Sequence, residues 1–319
     1  MKFSPEICCC FLHPITKYGY PPPAEKTEIY LEDMAAMGFQ TVELEGIREE
    51  HLLAVSAQKD AIRDKLQSLG LKLPYFCIIL PGLSSADADT RAQSLRLFAD
   101  GCRTAAHFGS TGVLDNAPLA PLEFDKSLPV ARHYDDKKLQ AAALPAGLDW
   151  GQYWRGVTST YREACDIAAS MGLTYLMHPI MGTLCATTDG FLNFRDAVDR
   201  DNLRFNLDTA NQFMLRENLA LAVHRLKGSL DYVHISDNGG GRVEHLPPGE
   251  GAIAWEPFFQ ALRDTGFDGL LGVDLGGAET PIPDLDAAYI HAARWIEERW
   301  IQPRTPQSTH PIKQPASLS

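Results

Sequence analysis

Short apolar runs alternate with longer amphipathic stretches along almost the whole chain, the pattern of βα units laid around a parallel sheet. Eight runs read as strands: Ile7–Leu12, Thr41–Glu45, Pro74–Leu80, Gly112–Asp115, Thr174–His178, Arg204–Asp208, Tyr232–Ser236 and Leu270–Leu275. Helical periodicity separates them over Thr27–Met37, Glu50–Ser68, Asp87–Phe108, Gln152–Met171, Gly190–Val198, Leu215–Leu226 and Trp255–Asp264, with Leu285–Trp300 closing the series. Gly38, Gly70, Gly109, Gly172 and Gly266 each stand at the end of a helical segment just ahead of the next strand. Glycine there takes the left-handed turn that stops a helix at little cost. Eight strands, each followed by a helix, predict an α/β fold: a closed (β/α)8 TIM barrel, a single domain over residues 1–300.

A doubly wound sheet is the competing arrangement, but its G-x-G-x-x-G phosphate loop is missing after the first strand. In the later run Asn238-Gly239-Gly240-Gly241 the third glycine would fall at Glu244, so this loop reads as a flexible connection. Two stretches break the alternation. Residues 116–152 hold Pro118, Pro121, Pro129 and Pro145 and far exceed an ordinary βα loop of roughly 2–6 residues. They are expected to form a lid over the barrel mouth, the alternative being an excursion packed on the rim. Residues 301–319 carry four prolines and no acidic residue, and are expected to be a disordered tail without chemistry.

Composition narrows the function classes. With 41 acidic against 29 basic residues the formal net charge is −12, which argues against a nucleic-acid partner. None of the seven cysteines forms a C-x-x-C pair, so a reduced, cytoplasmic protein is expected. Cys8, Cys9 and Cys10 alternate faces on one strand and read as small buried residues, not as a joint metal site. The chain lacks an apolar run of about 18 residues, and its apolar start has no basic region ahead of it. Neither a membrane partner nor a signal peptide is therefore expected.

In such a barrel the reacting groups gather at the C-terminal ends of the strands. His13 follows the first strand, Glu43 and Glu45 lie on the second, and the fifth to eighth end in His178, Asp208, His234 and Asp274. One polar residue at a strand end commonly caps the next helix. Four on consecutive strands converge when the barrel closes, and two imidazoles with two carboxylates suit a divalent cation completed by water or substrate oxygens. Arg242 offers a rigid fork for an anion or a sugar hydroxyl, or else is a solvated loop arginine. Trp150, Tyr153 and Trp154 either wall a sugar site or pack on the rim. His107, His224 and His291 fall in helices and read as packing or surface residues, while His51 and His133 carry no assignment.

These residues sit in segments that resemble the xylose-isomerase-like TIM-barrel superfamily of sugar phosphate isomerases and epimerases. That group also holds inosose dehydratases, hydroxypyruvate isomerases and repair enzymes of the endonuclease IV type. The resemblance runs from Gly38-Phe39-Gln40-Thr41-Val42-Glu43-Leu44 to Gly266-Phe267-Asp268-Gly269. It is strongest at Leu207-Asp208-Thr209, His234-Ile235-Ser236-Asp237 and His245-Leu246-Pro247-Pro248-Gly249-Glu250-Gly251-Ala252-Ile253. In the family Glu, Asp, His and Glu end strands five to eight and bind the ion. Asp208 and His234 match; His178 and Asp274 stand where the two glutamates belong, and Asn211 stands where the family often has His.

The resemblance supports a metal site of His178, Asp208, His234 and Asp274 and catalytic roles for His178 and Asp274, with His245 and Asn211 as substrate contacts; by their position and chemistry Glu43 is a further catalytic or hydroxyl-binding candidate, and Arg242, His13 and Trp154 are further substrate candidates. Imidazole in place of a carboxylate shifts the expected ion from Mg²⁺ toward Mn²⁺, Zn²⁺ or Fe²⁺. The expected activity is isomerisation or epimerisation of a small sugar, or of a sugar-derived polyol or keto compound, through an enediolate. A dehydratase or lyase, including C-glycoside cleavage, uses the same first step and stands second. An endonuclease IV-like phosphodiesterase is disfavoured by the charge, and a non-catalytic sugar-binding barrel remains open because two ligand positions are altered. Family members are often dimers or tetramers, so homo-oligomer formation is one further expectation.

Overall fold

The computed structural model describes residues 2–123 and 136–301. Nine parallel strand segments form one sheet: β1 (Ile7–Cys9), β2 (Thr41–Val42), β3 (Leu44–Ile47), β4 (Tyr75–Ile79), β5 (Gly112–Asn116), β6 (Thr174–His178), β7 (Leu203–Asp208), β8 (Leu230–Ile235) and β9 (Leu270–Val273). β1 pairs with both β2 and β9, and β3 pairs with β4. β2 and β3 are therefore two halves of one barrel strand, broken at Glu43, and the count is the eight of a closed TIM barrel.

Where the hydrophobic pattern was regular the elements fall as expected. The five glycine stops all have positive φ, for example 67° at Gly70 and 71° at Gly266. Departures occur where side chains compete for the backbone. The first strand ends at Cys9, and Leu12 already opens a helix, Leu12–Tyr18, whose first turn tolerates Pro14. The helix expected over Leu215–Leu226 starts only at Leu219, where Asn218 caps it, and runs to Arg225; a separate helix, Thr209–Met214, capped by Asp208, precedes it. Similarly, Glu50–Ser68 divides into Arg48–Ala57 and Lys59–Leu69.

Inside the barrel Tyr75 and Tyr232 stack with ring centroids 5.0 Å apart, and the Cys10 thiol lies 3.3 Å from the Tyr232 hydroxyl. Gly272 makes room for both: a Cβ there would fall 2.4 Å from Cys10 Sγ and 2.6 Å from Tyr232 Oη. All three N-terminal cysteines are buried, as the strand reading required. Among the described residues no helix is long and apolar enough to cross a membrane.

The loop at Asn238–Gly241 is not the loose connection expected of it. Asn238 Nδ2 lies 3.0 Å from Arg242 O and 3.1 Å from Glu244 O, and the Gly239 N–H donates to Glu244 Oε1. Asp237 ties down the rest: its carboxylate accepts from the Gly249 and Ile253 N–H groups and from Trp255 Nε1. Of the long excursion, residues 117–123 and 136–152 are described and bridge at Leu119 with Thr183 and at Glu123 with Ala143. Residues 124–135 of the expected lid, with His133, and residues 302–319 of the expected tail lie outside the described residues.

Candidate functional site

The C-terminal ends of β6, β7 and β8, with Asp274 just past β9, bring His178, Asp208, His234 and Asp274 into one buried cluster. Asp208 caps the helix that follows it, its Oδ1 accepting from the Asn211 N–H at 2.9 Å. That fixes the carboxylate so that Oδ2 lies 3.4 Å from His178 Nε2 and 3.5 Å from His245 Nε2. His234 Nδ1 faces Asp274 Oδ2 at 3.6 Å, and the His178 and His234 rings have centroids 4.9 Å apart. Donor atoms of His178, Asp208 and His234 all lie within 4.8 Å of one another, as do those of Asp208, His245 and Asp274.

Two local arrangements bear on whether such a cluster suits a cation. At His234, Nε2 lies 3.2 Å from Glu43 Oε2, so it carries the proton that this carboxylate accepts. Glu43 is held in turn by the Phe11 N–H at 3.1 Å, at the break between β2 and β3. Nδ1 of His234 is then buried without a hydrogen-bond partner and aimed into the cluster, the nitrogen that offers a lone pair to a cation once it gives up a proton. A carboxylate behind an imidazole that points its other nitrogen inward is the ordinary support of a metal-binding histidine.

At His178, Nδ1 lies 2.9 Å from the Asn206 amide, whose Oδ1 is buried and has no hydrogen-bond partner. The two amide ends are nearly isosteric. Turned over, Oδ1 accepts from Nδ1–H, which satisfies the orphan oxygen and leaves Nε2 of His178 as a lone-pair donor toward Asp208. The donor set therefore fits a divalent cation, with imidazole nitrogens and carboxylate oxygens in a buried pocket.

The electrostatics agree. Burial, with the neighbouring His234, pushes His178 down to about 4, so its ring is neutral at pH 7. Burial would also lower His234 and His245, but carboxylates overcome it. Asp274 and Glu43 hold His234 well above its ordinary value, and Asp208 and Glu279 push His245 up to about 10. The same contacts hold Asp208 and Asp274 below the usual carboxylate range against a burial effect that acts to raise them. The ion-free cluster thus keeps positive charge among its carboxylates by holding protons.

The expected substrate groups divide. His245 and Asn211 line the cavity over the cluster, Asn211 Nδ2 donating to Asp208 Oδ2 at 2.7 Å. His13, Arg242 and Trp154 are not among its described lining. His13 is buried against Tyr289, with Nε2 2.7 Å from Asp286, because the early start of the first helix turns it away from the mouth. Arg242 is 71% exposed and paired with Glu244 at 3.0 Å. Trp154 stacks on Trp150 and meets Phe194 edge-on, packing on the rim.

Residues without a spacing signal complete the lining: Tyr20, Asn116 and Glu279, the last with Oε1 3.3 Å from His245 Nδ1. Asn206 behind His178 was also missed, although the alternation of a strand places it on the same face as Asp208. Cys10 is a further surprise, its sulfur within 4.8 Å of donor atoms of His234 and Asp274.

Similar proteins share this frame. The chain is 22% identical over 244 residues to a D-psicose 3-epimerase of Enterocloster bolteae, covering 75% of this chain and 73% of that one. It is 22% identical over 163 residues to an inosose dehydratase of Clostridium perfringens, covering 46% of this chain and 54% of the relative. Among solved structures, the apo form of a 3-keto-D-glucoside 4-epimerase from E. coli superposes with a TM-score of 0.70 at 18% identity, covering 92% of this chain and 100% of that one. The probable 3-DHS dehydratase AsbF of Bacillus anthracis does so with a TM-score of 0.66 at 16% identity, covering 94% and 100%. The family model for the xylose isomerase-like TIM barrel matches residues 31–299, and the chain belongs to that family.

Proposed function

We propose that this protein is a divalent-metal-dependent isomerase or epimerase of a small sugar or sugar-derived keto compound. The observation that carries the reading is the convergence of His178, Asp208, His234 and Asp274 from consecutive barrel strands, with His234 Nδ1 buried and unpartnered among them. The sugar epimerases among its relatives support the choice of reaction. Imidazole donors favour Mn²⁺, Zn²⁺ or Fe²⁺ over Mg²⁺.

In this reading His178, Asp208, His234 and Asp274 hold the ion, which when bound would polarise the substrate carbonyl and acidify the neighbouring C–H. Glu43 fixes the tautomer and direction of His234; with both oxygens already engaged it acts as a positioning group more than as a base. His245, backed by Glu279 at Nδ1, holds a proton at the cavity wall and exchanges it with the substrate. Asp274 faces the same space and takes the opposing role, with a shorter reach than the glutamate of the family. Asn211 and Asn116 present amides to substrate hydroxyls.

Dehydration is the second reading, favoured by the inosose dehydratases among the relatives. It begins with the same proton removal and differs in the loss of a β-hydroxyl. Metal-loaded protein should catalyse solvent-deuterium exchange at the carbon beside the carbonyl of a ketose, with product NMR separating an epimer from an unsaturated ketone. His234→Ala should abolish both stoichiometric metal, read by elemental analysis, and exchange. Full exchange by a metal-free His234→Ala protein would overturn the reading.

A further inference from the structure

We propose that Cys10 supplies a thiolate to the cation held by His178, Asp208, His234 and Asp274, entering from beneath the cluster and leaving the side toward the cavity to the substrate. This rests on the metal-dependent reading above and adds a ligand from the end of β1 to four from β6 to β9. A sulfur donor changes the class of ion the site selects, because thiolate favours Zn²⁺ or Fe²⁺ over Mn²⁺.

The fold brings the sulfur to this point. Cys10 directly follows β1, and the alternation of that strand sets Cys8 and Cys10 on one face with Cys9 on the other. The Cys10 N–H donates to the Val273 carbonyl at 3.1 Å, which holds the residue level with the end of β9, beside Asp274. Gly272 and Tyr232 stand two residues before Asp274 and His234 on their strands, so they share a face with those two ligands one layer deeper in the barrel. Gly272 leaves open the space that the thiol fills, since a Cβ there would fall 2.4 Å from Sγ. From that space Cys10 Sγ reaches both layers. It lies 3.3 Å from Tyr232 Oη, and it and donor atoms of His234 and Asp274 all lie within 4.8 Å of one another, the same spread that gathers His178, Asp208 and His234.

The surroundings of the sulfur are those of a ligand. The side chains of His234 and Asp274 are only 5% and 8% exposed, and His234 Nδ1 has no hydrogen-bond partner although it faces Asp274 Oδ2 at 3.6 Å. A cation between these two groups completes that nitrogen, and Cys10 borders the same space. Each imidazole of the cluster has a polar group behind it, Glu43 at His234 and Asn206 at His178. Tyr232 stands behind Cys10 in the same way, with a hydroxyl that can donate to a thiolate. Coordination replaces the S–H bond by a bond to the ion, and the proton leaves to the solvent. Among the described residues Cys8 belongs to none of the groups of three donors, so the neighbouring thiol on the same face serves as a control.

The test loads full-length protein with one equivalent of Zn²⁺ and reads the neighbours of the ion by X-ray absorption. One sulfur at about 2.3 Å is expected beside nitrogen and oxygen at about 2.0–2.1 Å. With Co²⁺ as the probe, a sulfur-to-metal charge-transfer band should appear in the near ultraviolet, be lost in Cys10→Ser and Cys10→Ala, and persist in Cys8→Ser. Both Cys10 variants should still take up Mn²⁺, while their Zn²⁺ affinity, measured against a chelator, falls on the order of tenfold. A shell of nitrogen and oxygen alone around stoichiometric Zn²⁺ overturns the proposal and leaves the metal-dependent reading standing, and that measurement on the unsubstituted protein decides the point whether or not the Cys10 variants fold. A band that survives in folded Cys10→Ala likewise assigns the sulfur to another cysteine and overturns it. Failure of the unsubstituted protein to take up either ion overturns both.

Discussion

At the scale of single residues, the site depends on which nitrogen of each histidine is free. Glu43 settles this for His234 and Asn206 for His178. Asn206→Leu keeps the size of the side chain but removes the acceptor for Nδ1–H, so it should weaken divalent-ion affinity by about 10–100-fold, while Asn206→Asp should retain it. Competition against a calibrated chelator measures both, and equal affinity in the leucine variant would remove Asn206 from the site. The convergence of the four side chains was legible in the sequence because a strand end is a fixed position: once the alternation is placed, so are His178, Asp208, His234 and Asp274. His13 was misplaced by a boundary. Moving the end of the first strand from Leu12 to Cys9 puts His13 on a helix and against Asp286. Glu279 had no such fixed position, since a loop residue carries no periodicity to read.

At the scale of elements, the loop after β8 is the piece whose order is least visible in sequence and most needed by the site. Its glycines suggested slack, yet a single buried carboxylate organises it. Asp237 accepts from the Gly249 and Ile253 N–H groups and from Trp255 Nε1, and so joins the strand end, the loop carrying His245 and the start of the helix Trp255–Thr265. Asp237→Ala leaves four donors without their acceptor, the Asn238 N–H among them, which should cost about 3 kcal/mol and lower the melting temperature by roughly 6 °C. The same substitution should raise KM through displacement of His245, while Asp237→Glu, one methylene too long, should do so with less loss of stability. Calorimetry and steady-state kinetics read the two effects separately; a variant with unchanged melting temperature would show that the loop is held by other contacts. The helix that starts at Asn218 illustrates the same limit, because capping by a local side chain competes with an apolar periodicity that runs on across the break.

At the scale of the molecule, closure of the barrel concentrates acidic groups at one end of an already acidic chain with a net charge of −12. The ion-free protein offsets this with protons on His234 and His245, both raised above the ordinary imidazole value, the latter to about 10. A divalent ion requires His234 Nδ1 as a lone pair and must displace the proton that the neighbouring carboxylates hold on that ring at neutral pH. The sign follows: because His234 is protonated below its raised pKa, ion binding is opposed by acid and strengthened as pH rises. Saturation at about 100 times the dissociation constant stabilises the folded chain by roughly 2.7 kcal/mol. That corresponds to an increase in melting temperature of about 5 °C or more. The increase on adding Mn²⁺ to chelator-treated protein should grow from pH 6 to pH 8, with protons released to the buffer, and should vanish in His234→Ala. An ion-induced shift that is independent of pH, or that survives in His234→Ala, would place the bound ion elsewhere and separate the stability of the barrel from the cluster at its mouth.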